Sequence, residues 1–206
     1  GFSQKPAGPY SLETHVEDLA GLIDALNIRQ PILLGHSMGG SIVALTAATY
    51  PDLAAAVIME DPPMDEMLAG LTEDIIVDWQ EQIRAQLRTP KVELIDLARS
   101  KIHPGWPAFE YDHWAEAKHL VVPEVIDILH GIGFGDPRQI FPRIIAPTLI
   151  LKADAKEEYR QQHLATAALL PHGKLIHIDG AGHLIRHDKP AIAEQEIRAF
   201  LQELSL

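Results

Sequence analysis

Pro31-Ile32-Leu33-Leu34-Gly35-His36-Ser37-Met38-Gly39-Gly40 passes directly from an apolar run to a serine set between glycines. The run of residues 31 to 34 is expected of a strand covered on both faces in a parallel sheet. From Gly40 to Thr49 small and apolar residues suit a helix packed closely on that strand, and Tyr50-Pro51-Asp52 stops it. A serine in a G-x-S-x-G pattern between strand and helix takes a strained turn, where glycines two residues to either side relieve collisions. Such a turn projects the Ser37 hydroxyl away from the sheet. It also sets the Met38 backbone N–H at a helix start, where it can donate to a developing oxyanion.

Outward from this stretch the chain alternates strand and helix patterns. Upstream, Ser11 offers an N-cap and Thr14-His15-Val16-Glu17 the capping-box spacing for a helix to about Leu26. Val16, Leu19, Leu22, Ile23 and Leu26 are expected to form its buried face. Downstream, Ala54 to Met59 reads as a second buried strand. Residues 147 to 151 and 174 to 178 read as two more, with helices over 156 to 170 and 191 to 204. This succession implies an α/β fold with a mainly parallel sheet flanked by helices. Residues 64 to 143 have helical periodicity and contain Trp79, Trp106 and Trp114. They are expected to form a helical insertion between core segments 1–63 and 144–206.

Composition narrows the function classes. A chain of 206 residues, 47% hydrophobic and 22% charged, suits one ordinary globular domain. The 17 Lys and Arg against 29 Asp and Glu give a net charge of -12, which opposes binding to nucleic acid or to an anionic membrane surface. There is no cysteine, so a thiol nucleophile and thiolate metal ligands are excluded. No apolar run approaches the roughly 20 residues of a membrane span, and the first residues do not resemble a signal peptide. A cytoplasmic location is expected.

A serine hydroxyl needs a base to take its proton. His183, in Asp179-Gly180-Ala181-Gly182-His183, is favoured among eleven histidines because it follows the last strand, and loops at strand ends form the ligand side of a parallel sheet. His183 and His187 lie four apart without an evident third ligand, so neither metal nor cofactor is expected. His103, His113, His119 and His130 read as solvated or packed residues of the insertion. Trp106 and Trp114, with Phe109, Tyr111 and Phe134, are candidates to line an apolar acyl pocket, with aromatic core packing the alternative.

Together, GHSMGG after an apolar strand, PTLIL near residue 150 and DGAGH before the final helix resemble the α/β-hydrolase family over nearly the whole chain. The resemblance implies that fold with a helical cap, no cofactor, and serine, acid and histidine in that chain order. His36, beside the serine, is by the same resemblance a packing or orienting residue. For the acid, Asp154 is favoured, with Asp61 the alternative and Glu60 the third candidate. Lys156 stands where the family usually carries it, Asp154 lies one position from the place counted back from His183, and Glu60-Asp61 stands after the strand that some members use. The implied chemistry is cleavage of a small apolar carboxylic ester or lactone. Hydrolysis of a carbon–carbon bond, or a non-catalytic ligand-binding role, are the alternatives. The family's earlier strands, and the loop that supplies a second oxyanion donor, have no counterpart before residue 11. The chain is therefore expected to be a fragment or a short variant whose strand at 31–34 is an edge, covered by a missing segment or a second copy.

Overall fold

The computed structural model describes residues 2–8, 10–64, 72–131 and 136–205. The elements in chain order begin with α1 (Leu12–Ala25), β1 (Ile32–His36), α2 (Met38–Thr49) and β2 (Ala56–Glu60), followed by α3 (Glu73–Arg88), α4 (Lys91–Leu97) and α5 (Ala108–His119). The chain continues through α6 (Pro137–Ile140), β3 (Thr148–Lys152), α7 (Glu157–Ala167), β4 (Gly173–His177), α8 (Ile185–Asp188) and α9 (Pro190–Glu203).

Among the described residues, four strands form one parallel sheet in the order β1-β2-β3-β4. Every residue of β2 and β3 is buried, as expected of central strands in a parallel sheet. Two apolar layers enclose them. Val57, Met59 and Ile150 join Val43, Ala44 and Ala47 of α2, while Ile58, Leu149 and Leu151 join Ala193 and Phe200 of α9. The strand at 31–34 lies at an edge, and it is not covered on both faces. Leu33 is buried, but Ile32 and Leu34 are 41% and 42% exposed.

The stripe expected on α1 also splits. Leu12, Val16 and Ile23 are buried and Leu19 packs on the core, whereas Leu22 and Leu26 are exposed. At about 100° per residue Leu22 stands well around the helix from that group, and Leu26 lies past the helix end.

The chain divides into two compact units, residues 12–70 with 131–206 and residues 1–11 with 71–130. The first holds the sheet, and it includes Phe141, which is fully buried in the core although its position falls inside the expected insertion. The second holds α3, α4 and α5. In it, Tyr111 is buried and donates its hydroxyl to the His103 carbonyl at 2.9 Å.

Candidate active site

β1 runs into α2 through Ser37, whose backbone sits at φ 53° and ψ -118°. A non-glycine residue there costs on the order of 1–3 kcal/mol, so the surroundings must hold it. They do: the Ser37 N–H donates to the Glu60 carbonyl at 2.8 Å, and the Ser37 carbonyl accepts from the Gly40 N–H at 2.8 Å. A Cβ on Gly35 would fall 2.1 Å from the Gly39 carbonyl oxygen, so the turn closes only over a glycine. Gly39, by contrast, has open space where a Cβ would go. The second tight place is Gly40, where a Cβ would lie 3.0 Å from Pro62 Cβ. Met38 opens α2, so its N–H belongs to the first turn, whose donors have no intrahelical acceptor.

His183 follows β4 and is held from two sides. Its Nδ1 lies 2.6 Å from Asp61 Oδ2. The His36 Nε2–H donates to the His183 carbonyl at 2.8 Å, with the two rings 4.6 Å apart. His36 thus holds the His183 backbone. Burial lowers its pKa, which suits a neutral ring that donates at Nε2. The His183 side chain remains 56% exposed.

Asp61 follows β2 and also takes a left-handed backbone, at φ 41°, which aspartate tolerates better than most residues. Its N–H donates to the Leu151 carbonyl at 2.7 Å. Oδ1 accepts from Lys152 Nζ at 2.8 Å and from the Ala153 N–H at 3.2 Å. Burial works to raise the carboxyl pKa, but the bond to His183 and the Lys152 ammonium outweigh it, and the group falls to about 2. Because 2 lies below the ordinary 3.8, ionised Asp61 stabilises the fold above about pH 4, and that contribution disappears as pH falls from about 4 towards 2. It amounts to on the order of 2 kcal/mol. Thermal unfolding between pH 2 and 6 should therefore show a steeper acid loss for the wild type than for Asp61→Asn; parallel curves would refute it.

Asp154, the acid first favoured by position, is not brought to His183. Its N–H donates to the Ala181 carbonyl at 2.9 Å, which sets it two residues short of the histidine. Its carboxylate accepts from the Gly180 N–H at 2.9 Å and from Arg160 at 2.6 Å. These partners lower its pKa, the Gly180 N–H first and then Arg160. Arg160 also pairs with Asp179 at 2.6 Å, so Asp154 ties two loops together. Glu60, the third candidate, is buried and occupied by Arg186 through Nε and through the backbone N–H at 2.9 Å.

Trp106 and Trp114 belong to the helical unit, where Trp106 stacks on His103 at 3.7 Å and Trp114 meets the same ring edge-on at 6.0 Å. Lys118 lies over the Trp114 ring. Phe134 lies outside the described residues. Among the described residues, the grouping able to offer metal-ligand atoms is Asp112, His113 and Glu116 on α5. It is exposed and already answered by Lys91, 3.0 Å from Asp112. No helix among the described residues is long and apolar enough to cross a membrane.

Two cations paired with the candidate carboxylates escaped the sequence reading. Arg186 neutralises Glu60, and Lys152 sits under Asp61 with a side chain only 7% exposed. The signal for Lys152 was available: a lysine ending an otherwise uncharged strand run, Thr148-Leu149-Ile150-Leu151.

A parallel sheet that delivers a strained serine to a helix start, with a histidine in the loop after its last strand, defines the α/β-hydrolase class of folds. A model of the alpha/beta hydrolase family matches residues 1–195, and the chain belongs to that family. It is similar to the 2-(acetamidomethylene)succinate hydrolase of Mesorhizobium japonicum, with 26% identity across 98% of this chain and 74% of that protein. Among solved structures it resembles an N-formylmaleamic acid deformylase of Pseudomonas putida S16, with a TM-score of 0.76 and 21% identity over 96% of this chain and 77% of the other. A thermophilic esterase from Thermogutta terrifontis gives a TM-score of 0.71 and 22% identity over 99% and 76% of the two chains.

Proposed function

We propose that the chain is a serine hydrolase that cleaves a carboxylic ester or lactone through an acyl-enzyme. The observation that carries this is the Asp61–His183 pair, 2.6 Å between Oδ2 and Nδ1, in the unit that holds the Ser37 elbow. An ionised Asp61 can only accept, so His183 keeps its proton on Nδ1 and presents Nε2 as the base. Ser37 Oγ attacks the acyl carbon as its proton passes to His183. The tetrahedral oxyanion draws on the Met38 N–H. Collapse breaks the bond to the alkoxide, which leaves with the proton from His183. Water then repeats the sequence on the acyl-enzyme. Asp61 orients the imidazole and balances its charge.

The Mesorhizobium relative is named for 2-(acetamidomethylene)succinate, which is not an ester. It favours a second reading in which the same groups cleave a carbon–carbon or carbon–nitrogen bond. Parallel assays with p-nitrophenyl esters, lactones and an acylated enamine separate the two.

Fluorophosphonate labelling tests the reading. One phosphonyl group is expected on Ser37, absent in Ser37→Ala and slowed by about 10² or more in His183→Ala. Folded wild type that takes up no label would point instead to a ligand-binding role.

A further inference from the structure

The Asp61 carboxylate is used unequally. Oδ1 accepts two donors, Lys152 Nζ and the Ala153 N–H, whereas Oδ2 faces His183 Nδ1. The Lys152 ammonium is almost enclosed and also donates to the Pro62 carbonyl at 3.0 Å. Stripping water from an ammonium and a carboxylate costs several kcal/mol per ion, and a well-packed apolar pair of similar volume is commonly no less stable. Stability alone is therefore a poor reason for a lysine at the end of β3. Its geometry supplies another. The ammonium bridges two atoms of the turn after β2, fixing both the position of Asp61 and the rotation of its carboxylate.

We propose that Lys152 is a positioning residue for the Ser37 chemistry, clamping one oxygen of Asp61 so that the other is presented to His183. Other charged groups nearby have partners of their own: Glu60 pairs with Arg186, Asp154 and Asp179 pair with Arg160, and Asp188 Oδ2 accepts from the Gly182 N–H at 2.7 Å, while His163 and His177 share a hydrogen bond at 3.0 Å and His36 holds the His183 carbonyl. Lys152 and His183 are thus the ionisable groups bonded to Asp61.

The inference rests on the proposed serine chemistry, and the experiment separates the two. Fluorophosphonate labelling is followed from pH 4 to 9 in wild type, Lys152→Met and Lys152→Arg, with circular dichroism confirming the fold. The plateau rate of Lys152→Met is expected to fall about tenfold to a hundredfold, the scale on which outer partners of a site residue act. Lys152→Arg is expected to recover most of that loss. A folded Lys152→Met protein that melts below wild type yet labels at the wild-type plateau rate overturns the proposal. Unlabelled, folded wild type would instead overturn the serine hydrolase reading.

Proton NMR gives a readout independent of activity. The low-field His183 Nδ1–H signal should be present in wild type and Lys152→Arg, and shifted or lost in Lys152→Met. An unchanged signal in Lys152→Met counts against the clamp. If Lys152→Met does not fold, nitrogen NMR of the wild-type Lys152 ammonium decides: slow hydrogen exchange and a scalar coupling to the Asp61 carboxylate support the clamp, and a freely exchanging, uncoupled ammonium overturns it.

Discussion

Asp61→Asn is expected to lower ester turnover at neutral pH by about four orders of magnitude, while Asp154→Asn stays within a few-fold of wild type. The size of the first effect follows from the surroundings of the carboxylate. Lys152 Nζ and the Ala153 N–H are both donors, so a carboxamide in place of the Asp61 carboxylate must turn its oxygen towards them. Its NH2 group then faces His183 Nδ1 and donates to it. The imidazole is driven to the tautomer that carries its proton on Nε2, the nitrogen that has to accept from Ser37. The protein should stay folded at pH 7 with an intact elbow and a wrongly protonated base. Asp154→Asn removes the Arg160 ion pair, in which the carboxylate is 45% exposed, and exposed pairs contribute only about 0–1 kcal/mol. Measuring kcat/KM on a p-nitrophenyl ester for both variants decides the matter. Equal, near-wild-type rates would remove Asp61 from the mechanism, and a collapse in Asp154→Asn alone would return the role to that residue.

Position along the chain favours Asp154 over Asp61 by the count back from His183 alone, because both lie just past the end of a buried parallel strand. What separates them is the path of a few backbone atoms. Asp61 turns back through a positive φ and reaches His183, whereas Asp154 is pinned by the Ala181 carbonyl and the Gly180 N–H before it can do so. Neither path leaves a trace in hydrophobic periodicity. The strands, by contrast, were legible because burial on both faces demands the uninterrupted apolar runs at residues 56–59 and 149–151. β1 shows the limit of that logic: its run is as apolar as the others, yet Ile32 and Leu34 stand exposed at the edge. The elbow was legible because its strain selects residue types. Its glycine pattern was misread in one respect, since the close approaches fall on Gly35 and Gly40 and not on Gly39.

That distinction gives the largest stability effect expected in the chain. Gly35→Ala would set a Cβ 2.1 Å from the Gly39 carbonyl oxygen, 2.3 Å from its carbon and 2.7 Å from the Gly40 nitrogen. All three are backbone atoms, so no rotamer change relieves the clash, and the first turn of α2 must move away from β1. Small overpacking errors between side chains cost about 1–3 kcal/mol, and a backbone collision that displaces Ser37 should exceed that. The expected outcome is a variant that is insoluble or melts far below wild type and takes up no fluorophosphonate. Gly39→Ala is the matched control. Its Cβ meets nothing within 4 Å, and alanine inside a helix gains up to about 1 kcal/mol over glycine. It should melt at or slightly above the wild-type temperature. Gly40→Ala, whose Cβ would press on Pro62 at 3.0 Å, should fall between them, because the proline ring can yield by a few tenths of an ångström. A Gly35→Ala protein that melts with the wild type and still labels at Ser37 would show that β1 does not enter α2 through this turn, and the placement of the nucleophile would fall with it.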